Sequence, residues 1–349
     1  MVNITKQESS AINSVRFFCI LTIVMVHCSL HDSTSLEPLL CKDYMPATIS
    51  WYAALSFGEV ALRIFFVLSG YLFFRDVTDS FSWKKDYLNK LQSRLSSLVI
   101  LYLVWATIGL GYKLMLGKVQ NPDVLTVLSG YWPVSEGAVS WDRGLWFIRT
   151  LIIFSVLSPI YYVIVRCLKH YTLIVCFLLH LTDVKISFPY FNMWLLTGAY
   201  LAYMGITLTR LSQLLNLKIA LAGVVVLQFL IRPDLLVIKT DWSVAVLLYF
   251  CVFMRFFLRH PIPSKIVASC TFVYVGHFYL VGFFKNVFAR ILPHSVMGYV
   301  GNMCLTWFFS AVICVLAYML VVSRYGILKL LFVGGRGVKK LPEDKIAVK

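Results

Sequence analysis

Apolar residues fall in ten long runs along the chain rather than in stripes that repeat every three or four positions. Runs of about 17 or more residues with few charges are typical of transmembrane helices. The pattern therefore predicts an all-α fold, a polytopic transmembrane helix bundle of about ten spans. The predicted spans lie near residues 12–30, 55–74, 95–115, 145–165, 171–183, 189–206, 217–231, 242–258, 266–284 and 298–322. The fifth is short, so nine spans with one re-entrant segment is the alternative.

Composition agrees with a membrane protein. Of the 349 residues, 60% are hydrophobic and only 14% are charged, whereas soluble domains average about 25% charged residues. We expect no cleavable signal peptide, because the first apolar run has no small-residue cleavage site and continues as a full span. No soluble catalytic domain is expected either, so any chemistry must occur among the helices.

The net charge of +16 is best explained by membrane topology and not by nucleic-acid binding. Basic residues concentrate at the ends of the apolar runs, which is how Lys and Arg orient a protein against an anionic cytoplasmic leaflet. Of the basic residues in loops and termini, nineteen fall in one alternating set and eight in the other, and the richer set contains both termini. We therefore expect both termini in the cytoplasm, a transmembrane domain over 1–332 and a basic, disordered cytoplasmic tail over 333–349.

The first span carries Arg16 near its start and His27 near its end. Eleven residues correspond to three helical turns, so the two lie on one helix face, about 16 Å apart along the axis. Polar residues inside a membrane are costly and commonly functional. An imidazole such as that of His27, or of His277 in the ninth span, can act as a general base toward a hydroxyl. An interhelical hydrogen bond is the structural alternative.

His31 lies one turn beyond His27, and this spacing could hold a metal ion. No carboxylate or third histidine accompanies the pair, and the nine cysteines show no metal-binding spacing. We therefore expect no metal site.

The second span contains further polar residues. Glu59 and Arg63 are four positions apart and can pair on one helix face, which is either structural neutralisation or part of a binding site. Ser69 places a hydroxyl near the cytoplasmic end of this span, and Arg75 with Asp76 closes it.

Two groups of polar residues lie at other span ends. Lys84, Lys85, Lys90 and Arg94 form the most basic loop, which topology alone can explain, or which can collect a cytosolic polyanion. Trp146 and Arg149 open the fourth span at its exterior end, where Arg149 either snorkels toward water or meets a polar ligand.

Five motifs carry a resemblance to a known family. They are NSVRFFCILTIVMVH (13–27), FFVLSGYLF (65–73), GLWFIRTLI (144–152), MWLLTGAYLA (193–202) and SCTFVYVGH (269–277). In their order, spacing and placement in ten spans, they resemble the acyltransferase-3 family of integral-membrane acyltransferases over nearly the whole chain.

The resemblance implies a ten-helix protein of the cytoplasmic (inner) membrane that moves acyl groups, usually acetyl, from cytoplasmic acetyl-CoA. The acceptor it implies is a hydroxyl of a cell-surface glycan or a lipid-linked sugar. It also implies that Arg16 and His27 are the functional pair, with His277 as a further site residue. The family's Arg-x-x-Arg pair is incomplete here, since Arg94 fits its second position but Leu91 occupies the first.

The remaining candidates divide into a donor set and an acceptor set. The donor set, for acyl-CoA acting as a substrate and not as a bound cofactor, is Arg94, Lys90, Lys84, Lys85, Arg75 and Ser69. The acceptor set is Glu59, Arg63, Trp146 and Arg149. Membrane lipid is the other expected partner, and the sequence indicates no oligomeric state.

A transporter or flippase for a glycan or lipid-linked sugar is the alternative, because it too would use embedded Arg and His residues. The absence of an internal sequence repeat and the scarcity of embedded carboxylates for ion coupling count against it.

Overall fold

A computed structural model describes residues 4–28, 45–77, 85–120, 123–133, 140–142, 144–181, 192–230, 241–293 and 295–335. Every regular element in these ranges is helical, as the apolar pattern predicts. The longer helices are α1 (Lys6–His27), α2 (Met45–Phe74), α3 (Lys85–Met115), α5 (Leu145–Leu168), α6 (Tyr171–Leu181), α7 (Asn192–Tyr203), α9 (Leu217–Leu230), α10 (Asp241–Arg259), α12 (Cys270–Ile291) and α13 (Val296–Leu320). The shorter ones are α4 (Val124–Tyr131), α8 (Leu208–Ser212), α11 (Ser264–Val267) and α14 (Gly326–Val333).

Each of the ten predicted spans coincides with one of the longer helices. Within the described residues, α1, α2, α3, α5, α12 and α13 are long and apolar enough to cross a membrane. The 11 residues of α6 and the 12 of α7 rise only about 16–18 Å, roughly half of a hydrocarbon core. The chain is therefore a helical membrane protein whose described part holds six candidate spans, and ten crossings stay a prediction.

Two helices, α2 and α3, begin ten residues earlier than the hydropathy pattern predicts. α2 begins at Met45, whereas its predicted span begins near residue 55, and Pro46 falls in its first turn, where no backbone donor is needed. α3 begins at Lys85, so that Lys85, Lys90 and Arg94 lie on a helix and not in a loop. Hydropathy marks the embedded part of a helix, whereas good helix formers extend it beyond the membrane.

The helices group into two compact units. Unit 1 comprises Met1–Trp83 and Leu157–Cys314, and unit 2 comprises Lys84–Val156 and Val315–Lys349. In unit 1, α2 and α7 pack backbone to backbone. A methyl group added at Gly70 would overlap the carbonyl oxygen of Leu195, and one added at Gly198 would overlap that of Val67. Small residues at both positions thus permit the close approach typical of membrane helices.

The first turns of α1 are anchored to later parts of unit 1. Glu8 is buried, and its carboxylate accepts a hydrogen bond of 3.0 Å from the backbone N–H of Thr209, in the first turn of α8. The hydroxyl of Ser14 accepts a bond of 2.9 Å from the backbone N–H of Ile262. These contacts fix the position of α1, and so of Arg16 and His27, within the unit.

In unit 2, α14 packs against α3, and side chains of α3 cap the C-terminal end of α14. The indole N–H of Trp105 donates to the carbonyl of Phe332 (3.2 Å), and the hydroxyl of Ser97 donates to the carbonyl of Gly334 (2.6 Å). Gly334 adopts a left-handed conformation (φ 70°) that terminates the helix. The described fold therefore continues to residue 335, slightly beyond the predicted domain end at 332.

The segment between the predicted spans 95–115 and 145–165 contains helix α4. Asp123 caps its first turn by accepting from the backbone N–H of Thr126 (3.0 Å). Hydrogen bonds from the side chain and the backbone of Thr126 hold the pKa of the Asp123 carboxyl below its usual range. Trp141 is buried, and its indole N–H donates to the carbonyl of Val127. Trp141, in the segment that follows α4, is thus bonded to that helix.

Candidate functional site

The two embedded histidines meet in unit 1. His27 is the last residue of α1 and His277 lies in the first half of α12, and their ring centroids are 5.4 Å apart. The ring of Phe278 packs against both, at 4.5 Å from His27 and 4.3 Å from His277. Residues that are far apart in the sequence therefore form one aromatic cluster with two imidazoles.

The hydrogen bonds of His277 define the state of its ring. Its Nδ1 lies 2.6 Å from the carbonyl oxygen of Tyr274 and 3.1 Å from that of Val273. A carbonyl oxygen only accepts, so Nδ1 carries the hydrogen and the neutral ring keeps a lone pair on Nε2. That Nε2 is buried and has no hydrogen-bond partner among the described residues. The arrangement leaves an uncommitted basic nitrogen on the ring that contacts His27.

Arg16 lies three turns before His27 on α1. Its guanidinium carbon is 5.1 Å from the ring centroid of Phe65 on α2, which is a cation–π contact. Its Nε is buried and makes no hydrogen bond within the described part of the chain. A half-buried guanidinium with an unused donor is suited to bind a carbonyl or anionic oxygen.

A lysine and a series of hydrogen-bonded polar groups lie beside the C-terminal end of α1. The ammonium of Lys285, on α12, lies 3.5 Å from the carbonyl oxygen of His27, and a positive charge is favourable at a helix C-terminus. The backbone carbonyl of Lys285 accepts from the Asn302 side chain (3.1 Å), whose amide oxygen accepts from Thr306 (3.0 Å). The polar residues of α13 thus support the part of α12 that faces His27.

This polar line on α13 was missed by the sequence reasoning. Asn302, Thr306 and Ser310 recur every four residues in an apolar helix and are all buried, with 1%, 0% and 0% of their surface exposed. On the same helix, the indole N–H of Trp307 donates to the carbonyl of Leu21 on α1 (2.8 Å). The four-residue spacing of the polar residues in the last span was the signal that could have identified them.

The other predicted residues of unit 1 are largely engaged within α2. Arg63 is 2% exposed and pairs with the Glu59 carboxylate at 2.5 Å, which confirms that the two residues can pair. The hydroxyl of Ser69 donates to the carbonyl of Phe65 at 2.8 Å. Arg75 forms an exposed pair with Asp76 at 3.3 Å.

The predicted residues of unit 2 that the structure describes lie in the N-terminal parts of α3 and α5. Lys90 and Arg94 are half-buried and one turn apart on α3, so they share a helix face. Arg149, on α5, donates to the carbonyl of Pro133 at 2.6 Å and so has a polar acceptor; Trp146 is half-buried on the preceding turn. Lys85 is the first residue of α3, and Lys84 and His31 lie outside the described residues.

Metal ligands do not cluster in the part of the chain that the structure describes. No group of three or more His, Cys, Asp or Glu side chains there could hold a metal ion. What the site offers is proton-transfer and hydrogen-bonding chemistry from two imidazoles, a guanidinium and an ammonium.

An all-helical membrane protein in which a half-buried histidine contacts a buried one, with an arginine three turns away on the same helix, has the features of an enzyme that carries out acid–base chemistry inside the membrane. Residues 9–324 match the family described as the acyltransferase domain, and the chain belongs to this acyltransferase-3 family. The suspected family is therefore confirmed, and the chain is a membrane acyltransferase. No curated protein and no solved structure gives a significant match.

Proposed function

We propose that this acyltransferase is an O-acyltransferase of the cytoplasmic (inner) membrane. It would move an acetyl group from cytoplasmic acetyl-CoA to a hydroxyl of a cell-surface glycan or a lipid-linked sugar. The observation that carries the proposal is the contact between His27 and His277, whose buried Nε2 is uncommitted. Acyl transfer to a hydroxyl requires that the hydroxyl proton be removed, and imidazoles are suited to this near neutral pH.

The length of α1 fits a donor that enters from the cytoplasm. Arg16 and His27 share one helix face, about 16 Å apart, and the acyl group of acyl-CoA lies at the end of a long, extended pantetheine arm. In the proposal, Arg16 binds a carbonyl or phosphate oxygen of the donor while the thioester reaches His27. The phosphates would be bound by cations expected at the cytoplasmic ends of helices: Arg94, Lys90, Lys84, Lys85 and Arg75, with Ser69 nearby in sequence on α2.

The chemical step breaks the thioester bond of the donor and forms an oxygen ester bond on the acceptor. His27 accepts the hydroxyl proton of the acceptor as its oxygen attacks the carbonyl carbon of the thioester. The tetrahedral intermediate then collapses, the carbon–sulfur bond breaks, and the leaving thiolate takes the proton back from His27. The products are the O-acyl acceptor and free coenzyme A. His277 supports this step by orienting the imidazole of His27 and by offering Nε2 as a second proton acceptor.

Acceptor binding is proposed for Glu59, Arg63, Trp146 and Arg149. Support comes from their chemistry, because carboxylate and guanidinium groups hydrogen-bond sugar hydroxyls and an indole ring stacks on a sugar face. Glu59 and Arg63 already form an ion pair, and Arg149 already bonds to Pro133. An acceptor would therefore have to bind beside pairs that already form in its absence.

The proposal predicts that His27→Ala abolishes acyl transfer while the protein still accumulates in the membrane. A side-chain hydrogen bond between membrane helices averages only about 0.6 kcal/mol, so the fold should survive its loss. A catalytic base contributes on the order of 10²–10⁴-fold to the rate. Cells that lack the gene would be complemented with each variant, and O-acyl groups on surface glycans would be measured beside membrane abundance.

Arg16→Ala should likewise abolish acyl transfer without lowering the abundance of the protein in the membrane. His31→Ala is the matched control and should retain activity. Near-normal acylation in His27→Ala would contradict the mechanism. A loss of total surface glycan, with unchanged acylation of what remains, would favour the transporter. Acyl-His27 trapped by labelled acetyl-CoA without an acceptor would make His27 the nucleophile in place of the base.

A further inference from the structure

A cleft of about 460 Å³ lies in unit 1 between α9 and α10, outside the histidine site. Its walls are apolar and include Leu217 and Leu221 from α9 and Val252 and Phe256 from α10. Leu221 and Phe256 are 45% and 55% exposed, so the cleft opens at the surface of the unit. Its volume lies within the range of about 300–1,000 Å³ that is typical of ligand pockets.

One end of the cleft is lined by basic and amide side chains. Arg255, Arg259 and His260 line it from the last turns of α10 and the residue that follows, and Gln213 lines it from the segment after α8. Every lining residue that the structure describes is apolar, amide-bearing or basic. The cleft therefore has an apolar body and a cationic mouth.

Arg255 is held at this mouth by a backbone contact. Its Nη2 donates to the carbonyl of Leu215 at 2.7 Å, which leaves the remaining guanidinium donors for a ligand. Arg259 follows one turn later on the same helix face, and like charges at this spacing repel each other. An anion bound between them would relieve the repulsion and complete their hydrogen bonds.

We propose that the cleft binds an anionic phospholipid, with one acyl chain along the apolar walls and the phosphate at Arg255, Arg259 and His260. The distribution of basic residues predicts that this end of α10 lies on the cytoplasmic side. Anionic lipids are enriched on that side, and basic pockets between helices bind their headgroups. A soluble phosphate compound fits less well, because it would leave the exposed apolar walls uncovered. The inference is independent of the acyl-transfer proposal.

Native mass spectrometry of the full-length protein tests this site. The purified chain would be exchanged into detergent containing phosphatidylglycerol, or phosphatidylcholine with the same acyl chains, and retained lipid would be counted. We expect the wild type to retain one phosphatidylglycerol at least ten-fold more than phosphatidylcholine. The double variant Arg255→Gln/Arg259→Gln should lose that preference, and Arg255→Lys/Arg259→Lys should keep most of it, because Lys retains the charge.

The matched control is Arg210→Gln, which removes a basic residue on α8 that does not line the cleft and should leave lipid retention unchanged. Thermal unfolding in the two lipids provides a second measurement, since a bound ligand stabilises the folded state. Phosphatidylglycerol should raise the unfolding temperature of the wild type and Arg210→Gln but not of the Gln double variant. Equal retention of both lipids, no effect of the double variant, or displacement of phosphatidylglycerol by coenzyme A would overturn the proposal.

Discussion

At the scale of single residues, the state of His277 is the feature that can be tested most directly. In His277→Asn, the side-chain amide N–H₂ can take the place of Nδ1 and still donate to the carbonyl of Tyr274, but Nε2 is lost. We expect the variant to fold with a stability within about 1 kcal/mol of the wild type. Acyl transfer should fall by about 10²-fold or more if Nε2 takes part in proton movement.

Acylation by purified protein in liposomes, measured beside thermal unfolding, would separate the two effects. His277→Ala is the companion variant, since it removes both ring nitrogens and should lower stability as well as activity. An Asn variant with full activity would show that His277 acts only through its bond to Tyr274.

The sequence was sufficient to predict that Arg16 and His27 lie on one helix face, because their spacing on one helix is a local property. Pairing of Glu59 with Arg63 was predictable for the same reason. The contact of His27 with His277, and the proximity of Lys285 to the end of α1, depend on how distant helices pack. No local pattern in a single sequence contains that information.

At the scale of helices, the α2–α7 contact depends on two glycines. Gly70→Ala and Gly198→Ala each place a methyl group against a backbone carbonyl of the facing helix. A backbone cannot yield as a side-chain tip can, so we expect a loss of about 1–3 kcal/mol. Thermal unfolding of the purified variants in detergent would measure this loss.

Gly282→Ala is the matched control for the glycine variants. Gly282 lies within α12, and a methyl group added there meets nothing within 4 Å. Its unfolding temperature should equal or exceed that of the wild type, because alanine is the better helix former. If Gly70→Ala and Gly198→Ala unfold at the same temperature as Gly282→Ala, the α2–α7 contact does not depend on the two glycines.

Helix α14 offers a second test, because its last carbonyls are capped from α3. Ser97→Ala and Trp105→Phe each remove one donor and leave a partly buried carbonyl without it, which costs about 1–3 kcal/mol. We expect faster hydrogen exchange over residues 326–335. In Ser96→Ala the exchange should not change, since the Ser96 hydroxyl bonds only to the carbonyl of Ser93 within α3.

Helix ends were harder to predict than helix existence. Hydropathy located every long helix because burial in lipid selects for apolar residues. It placed the start of α3 ten residues late, because Lys85–Arg94 is polar yet remains helical. Helix α4 lies between two predicted spans and helix α14 lies beyond the last one, and neither was predicted, because eight residues are too few for a clear apolar run.

At the scale of the whole molecule, the distribution of basic residues makes a prediction about orientation. Ser129 on α4 is expected outside the cell, and Ser264 on α11 is expected in the cytoplasm; both are exposed. In intact cells, an impermeant thiol reagent should label Ser129→Cys above the parent background but not Ser264→Cys. In inverted membrane vesicles the labelling should be exchanged, and the opposite pattern would reverse the orientation.

The sequence distance between the two histidines has a consequence for biosynthesis. Helix α1 leaves the ribosome before α12, carrying Arg16 and His27, whereas His277 is made 250 residues later. At about 5–20 residues per second, α1 waits roughly 10–50 s in the bilayer before its partner on α12 exists. During that interval the helix face that carries Arg16 and His27 lacks its final partner. Truncated products that stop before α12 therefore carry half of the site and remain exposed to membrane quality control.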